Sequence, residues 1–199
     1  MSTLRTVGIL IFPEVEILDF CGPFEVFSSA RSESGEKVFN ALTVAETDAL
    51  VSCRGGLLVQ PNVTFATAPK FDIILAPGGY GTDVQQENPV VLDWLRQQRN
   101  TAELTTSVCT GAFLLGAAGL LDGLRATSHW STIDRLRGFV PGATVLDDER
   151  VVDQGEIITS AGVSAGIDMA LHVVRRLHGD QAAINTARDM EYEWALAPA

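Results

Sequence analysis

Apolar runs that stop at proline or glycine alternate with helical patterns. They include TVGILIF (Thr6 to Phe12), closed by Pro13, and FDIILAPGG (Phe71 to Gly79), while a further stretch, AELTTSV, leads into Cys109. A continuous apolar run of this length, without polar alternation, is the signature of a parallel strand buried on both faces. Strands of that kind need helical crossovers, so the chain is expected to form an α/β, doubly wound, mostly parallel sheet with helices on both faces.

The remaining pattern fills in this frame. A loop, PEVEILDFCGP, is expected after the first strand, then a short helix from Phe24 to Ala30 with Pro23 at its first turn. Phe39 to Glu46 reads as a strand, and LVSCRGGLLVQPN as two short strands turning at Gly55-Gly56, a small antiparallel addition. Helices are expected over Pro89 to Asn100, from Cys109 to near Gly119, and over Ser131 to Arg137. A hairpin-like pair in VLDDERVVDQGEIITSAG, a long helix ending at Gly179, and a last helix from Asp180 running through AAINTARDMEYEW complete the reading. At 199 residues, with no repeat and no linker, residues 1–199 are expected to form one domain.

Charge and cysteine content narrow the partners. Lysine and arginine number 14 against 25 aspartates and glutamates, a net charge of −11, and the basic residues form no stripe. Such a surface repels phosphate backbones and anionic lipid heads, so neither nucleic acid nor membrane is expected as a partner. Val108 to Leu121, the longest apolar run, falls short of the ~20 residues that span a bilayer, and no cleavage pattern follows the N-terminus. A cytoplasmic protein is expected. Cys21, Cys53 and Cys109 show no C-x-x-C spacing, and His129, His172 and His178 form no H-x-x-x-H pair, so reduced thiols and no metal are expected.

In open α/β sheets, ligands bind at the carboxyl ends of the strands, which directs attention to Asp19, Gly78-Gly79 and Cys109. Ser107 and Gly111 flank Cys109 at two residues' distance, the small-residue pattern of a tight strand-to-helix elbow that exposes its central side chain. A helix N-terminus there favours an anion and is expected to lower the thiol's pKa; the competing reading is a buried, space-filling cysteine. Asp19 lies beside Ile17, Leu18 and Phe20, where desolvation would raise its pKa, although a carboxyl that merely accepts N–H bonds from the turn near Gly22-Pro23 fits the same sequence. Gly78 and Gly79 can offer backbone N–H groups to developing negative charge, or form a plain turn. Thr110 can donate its hydroxyl to an intermediate or bond the backbone. Glu14 and Glu16 read as a solvated loop entrance, and His129 beside Trp130 as a structural histidine.

These motifs together resemble the ThiJ/PfpI superfamily and, within it, the isocyanide hydratases. The resemblance is carried by FPEVEILDFCGP, APGG, SVCTGAFLLGAAGLLDGLRATSHW, ERVV and GVSAGIDMAL, which run through nearly the whole chain. It implies a flavodoxin-like fold, a homodimer and no cofactor. By it, Cys109 is the nucleophile, Asp19 the acid/base partner, Thr110 the adjacent hydroxyl, and Gly78 and Gly79 shape the substrate pocket. Proteases and deglycases of the superfamily often carry histidine directly after the cysteine; Thr110 stands there instead, which disfavours peptidase activity. The implied reaction adds water to a small organic isocyanide through a cysteine thioimidate, giving an N-formyl amine. A glyoxalase or amidase on the same cysteine, or a small-molecule or oxidation sensor, are the other readings; a Cys21–Cys109 redox pair is a minor one.

Overall fold

The computed structural model describes residues 4–194. A seven-stranded sheet runs in the order β10-β11-β7-β6-β1-β2-β5, parallel throughout except for the antiparallel edge strand β10. Its strands are β1 (Arg5–Leu10), β2 (Phe39–Ala45), β5 (Val63–Thr64), β6 (Ile73–Ala76), β7 (Leu104–Val108), β10 (Val151–Asp153) and β11 (Ile157–Ser160). Two small pairs lie outside it: β3 (Val51–Ser52) with β4 (Leu58–Val59), and β8 (Arg125–Ala126) with β9 (Thr144–Val145). The helices are α1 (Ile17–Ser29), α2 (Thr82–Gln85), α3 (Pro89–Arg99), α4 (Gly111–Ala117), α5 (Ile133–Phe139), α6 (Ala165–His178) and α7 (Asp180–Asp189).

These stretches do form central strands. All of β6 and the last four residues of β1 are buried, as are all five of β7, so both sheet faces are covered. The antiparallel addition is the β3–β4 pair, with Gly55 and Gly56 at φ 75° and 85°, where a side chain would be strained. From β1 the chain winds outward through β2 to β5, then returns across β1 to β6 and continues the other way to β7 and β11. The reversal falls between β1 and β6, and the crevice at their carboxyl ends is where such a sheet binds ligands.

Two helix boundaries differ from the sequence reading, and both bear on the site. Helix α1 begins at Ile17, so Asp19 sits in its first turn and Pro23 inside it. Pro23 has no N–H for the carbonyl of Asp19, a defect that costs an isolated helix about 3 kcal/mol. Packing overrides it: Gly22 lies where a Cβ would press on Ile167, and Gly166 where one would press on Pro23 and Val108, so α1 and α6 approach closely. Helix α7 stops at Asp189 instead of continuing to Trp194; Glu191 turns the chain at φ 50°, and Tyr192 folds back to donate to Asp168 Oδ2 on α6 at 3.0 Å. Among the described residues no helix is long and apolar enough to cross a membrane.

Candidate active site

Cys109 stands between β7 and α4 with φ 58°, a left-handed conformation rare outside glycine. The elbow is held on three sides. Its N–H meets the carbonyls of Ser160 and Ala161 at 3.2 Å, and its carbonyl accepts from Ser128 Oγ at 2.8 Å. Gly111 lies where a Cβ would strike the carbonyl of Ala76, so only glycine lets the elbow pack this close to β6. The backbone of the elbow is thus the one the small residues anticipate.

Asp19 reaches the same point from α1. It is fully buried, and its Oδ2 accepts the N–H of Gly78 at 2.8 Å. This corrects the turn reading, because the partner lies across the sheet crossover and not near Gly22-Pro23. Its Oδ1 is buried with no hydrogen-bond partner among the described residues. Burial pushes the carboxyl up to about 7, against the pull of the Gly78 N–H; the charge of Glu16 raises it further, and the facing Cys109 thiol opposes the rise. An orphaned buried carboxyl oxygen costs stability, and such groups collect at sites where protons move.

The thiol itself departs from expectation. Cys109 is 7% exposed, and burial, followed by the negative charge of Asp19, pushes its pKa up to about 12. The N–H groups of Thr110 and Val163 and the Thr110 hydroxyl pull the other way without prevailing. A helix N-terminus was expected to lower this pKa; α4 has only seven residues, and desolvation beside a carboxylate outweighs its dipole.

The glycine pair does different work from that expected. Both N–H groups are already engaged, Gly78 with Asp19 and Gly79 with Thr110 Oγ at 3.0 Å, so neither is left for a developing charge. Gly78 also lies where a Cβ would strike both Thr110 Oγ and Asp19 Oδ2. Gly78→Ala is therefore expected to displace the carboxyl and the hydroxyl together; any turnover at this site should fall at least tenfold, and an unchanged rate would show that their placement does not matter. Thr110 Oγ further shares a 3.0 Å hydrogen bond with Thr82 Oγ, which fixes its rotamer.

Cys109, Thr110 and Gly79 open onto a pocket of about 410 Å³ whose walls the sequence reading largely missed. Glu16 is not simply solvated: it pairs with Arg54, which also stacks over Tyr80 at 4.5 Å. Arg135 pairs with Asp83 on the opposite wall and lies over the ring of Phe113. His129 lines the pocket too, its Nδ1 within 3.3 Å of the Ser131 N–H and 2.8 Å of the Ser131 hydroxyl. Val163 had no signal at all in the sequence: a β-branched residue at φ 53°, strained by about 1–3 kcal/mol, it lines the pocket beside Cys109. Cys21, two residues from Asp19 on α1, points about 200° around the helix from it, and it, Cys53 and Cys109 are all free thiols. Among the described residues no three histidine, cysteine or acidic side chains are grouped to hold a metal ion.

The DJ-1/PfpI family model matches residues 5–176, and the chain belongs to that family. It is 39% identical to isonitrile hydratase of Pseudomonas putida over 193 residues, covering 97% of this chain and 79% of that one. A solved ThiJ/PfpI family protein from Pseudomonas syringae superposes with a TM-score of 0.88 at 34% identity, over 98% of this chain and 78% of that one. The HTH-type transcriptional regulator GbdR of Pseudomonas aeruginosa is 26% identical over 95% of this chain, which spans 51% of the regulator.

Proposed function

We propose that this protein is an isocyanide hydratase-type lyase that adds water to a small organic isocyanide to give an N-formyl amine. The observation that carries the reading is the buried Asp19 carboxyl, pushed up to about 7, facing the Cys109 thiol at the floor of the pocket. The two groups lose their protons in separate steps, near 7 and near 12, so above neutrality one proton is held between carboxyl and thiol. In the proposed route the sulfur of Cys109 bonds to the terminal isocyanide carbon, and the shared proton passes through Asp19 to that carbon, giving a thioimidate. Water then adds to the same carbon. One of its protons goes to nitrogen and one returns to the pair as the C–S bond breaks, releasing the formamide and the free cysteine.

Thr110, locked by Gly79 and Thr82, is assigned the orientation of the attacking water or of the intermediate. The P. putida relative's name supports the reaction class, and the resemblance to hydratases, with threonine where peptidases carry histidine, supports it further. We also place the protein in the cytoplasm as a homodimer; light scattering should give twice 21.3 kDa, and a monomeric mass would remove the dimer. Mixing the protein with an aryl isocyanide should yield the formamide with multiple turnovers. Conversion of methylglyoxal to lactate with no formamide would transfer the assignment to a glyoxalase, and tight binding of a metabolite without turnover of either compound would make the protein a sensor.

A further inference from the structure

Val163 keeps a conformation its β-branched side chain disfavours, and such a conformation persists only where the surroundings over-determine it. The turn that carries it, residues 161–164, is gripped on both sides by one residue, Arg150, from the ERVV stretch. On the entry side, the carbonyl of Arg150 accepts the N–H of Ala161 at 2.9 Å. On the exit side, its guanidinium donates from Nη2 to Ser164 Oγ at 3.2 Å and from Nε to Asp168 Oδ2 at 2.6 Å, one turn into α6. Asp168 Oδ2 also receives the hydroxyl of Tyr192 at 3.0 Å, from the segment that folds back after α7. None of these three side chains lines the pocket.

We propose that Arg150, Asp168 and Tyr192 form a clamp that holds the turn carrying Val163 against Cys109, whose N–H the Ala161 carbonyl of that turn accepts at 3.2 Å, and that the clamp thereby sets how readily the thiol reacts. A surface ion pair would account for Arg150 and Asp168 alone, but not for one residue holding both ends of the strained turn. Asp168 is also only 16% exposed and gathers two donors on one oxygen. The same exposure pattern makes the clamp a poor contributor to folding, since Arg150 is half-exposed and such pairs add little, so its variants are expected to fold. The residues are positioning residues, since they act on Cys109 through the 161–164 turn. Their relevance to catalysis rests on the hydratase reading, but the reactivity of the thiol is measurable without any isocyanide.

The test is the rate of Cys109 alkylation by iodoacetamide between pH 7 and 10, followed on the Cys109 peptide by mass spectrometry, with thermal melting as the control. The groups that face Cys109 and would shape its pH profile are Asp19, Glu16, Arg54, Tyr80, Asp83, His129 and Arg135, and all are unchanged in these variants. Arg150→Gln and Asp168→Asn are each expected to slow alkylation about tenfold and to move the whole pH–rate profile up by about one unit, with melting nearly unchanged. Tyr192→Phe, which removes a single hydrogen bond, should slow it a few-fold, and Arg150→Lys should recover part of the loss. Wild-type profiles in Arg150→Gln and Tyr192→Phe, or faster alkylation in either, would overturn the clamp. An inert isocyanide assay alongside shifted profiles would instead remove the hydratase reading and leave the clamp standing.

Discussion

Replacing Cys109 with alanine is expected to lower formamide production to the uncatalysed background. In the proposed route this side chain supplies the atom that bonds to the isocyanide carbon, and the neighbouring hydroxyl, Thr110, has its oxygen committed to Gly79 and Thr82. The variant should fold, because Cys109 is small and alanine removes only its sulfur from a site that retains every backbone bond of the elbow. Product formation is followed by liquid chromatography at matched protein concentration. Equal rates for wild type and Cys109→Ala would end the covalent route.

Asp19→Asn separates catalysis from stability because the two are expected to move in opposite directions. Turnover should fall by roughly 10²- to 10⁴-fold, the usual contribution of a positioned acid/base, since an amide neither takes nor returns the proton. Stability should rise above neutral pH. The folded-state pKa of Asp19, about 7, lies above the ordinary 3.8, so between these values the folded protein binds a proton that the unfolded chain has lost. Stability therefore falls as pH rises from about 4 to about 7, and above that range a buried charge is carried at a cost of up to about 4 kcal/mol. Asparagine carries no such charge. Its melting temperature should exceed that of wild type at pH 8 and converge with it near pH 4; a lower melting temperature at pH 8 would show that the carboxylate is stabilising and not strained.

Much of this site was legible in the chain before any coordinates. The run TVGILIF closed by proline, the run FDIILAPGG closed by glycines, and the small residues around Cys109 each state a local requirement: burial on two faces, positive φ, or close backbone approach. Local requirements are read from local sequence, which is why the sheet, the elbow and the β3–β4 turn came out as expected. The start of α1 did not, because Pro23 is a helix breaker locally and a tolerated residue once α1 packs against α6 through Gly22 and Gly166. The family resemblance extended the reading to Asp19 as partner of Cys109, a pairing across 90 positions that no spacing rule supplies.

By itself, then, the sequence determined the doubly wound sheet, the elbow and the residue types available for chemistry, because these follow from hydrophobic runs and from the steric needs of glycine and proline. Only the tertiary structure decided how those groups behave. It buried Cys109 beside Asp19 so that desolvation and charge raise both pKa values, bonded Gly78 and Gly79 to site residues, and brought Val163 to the pocket wall. Those outcomes depend on which atoms surround a group in three dimensions, and in the chain the surrounding atoms are scattered from Glu16 to Val163.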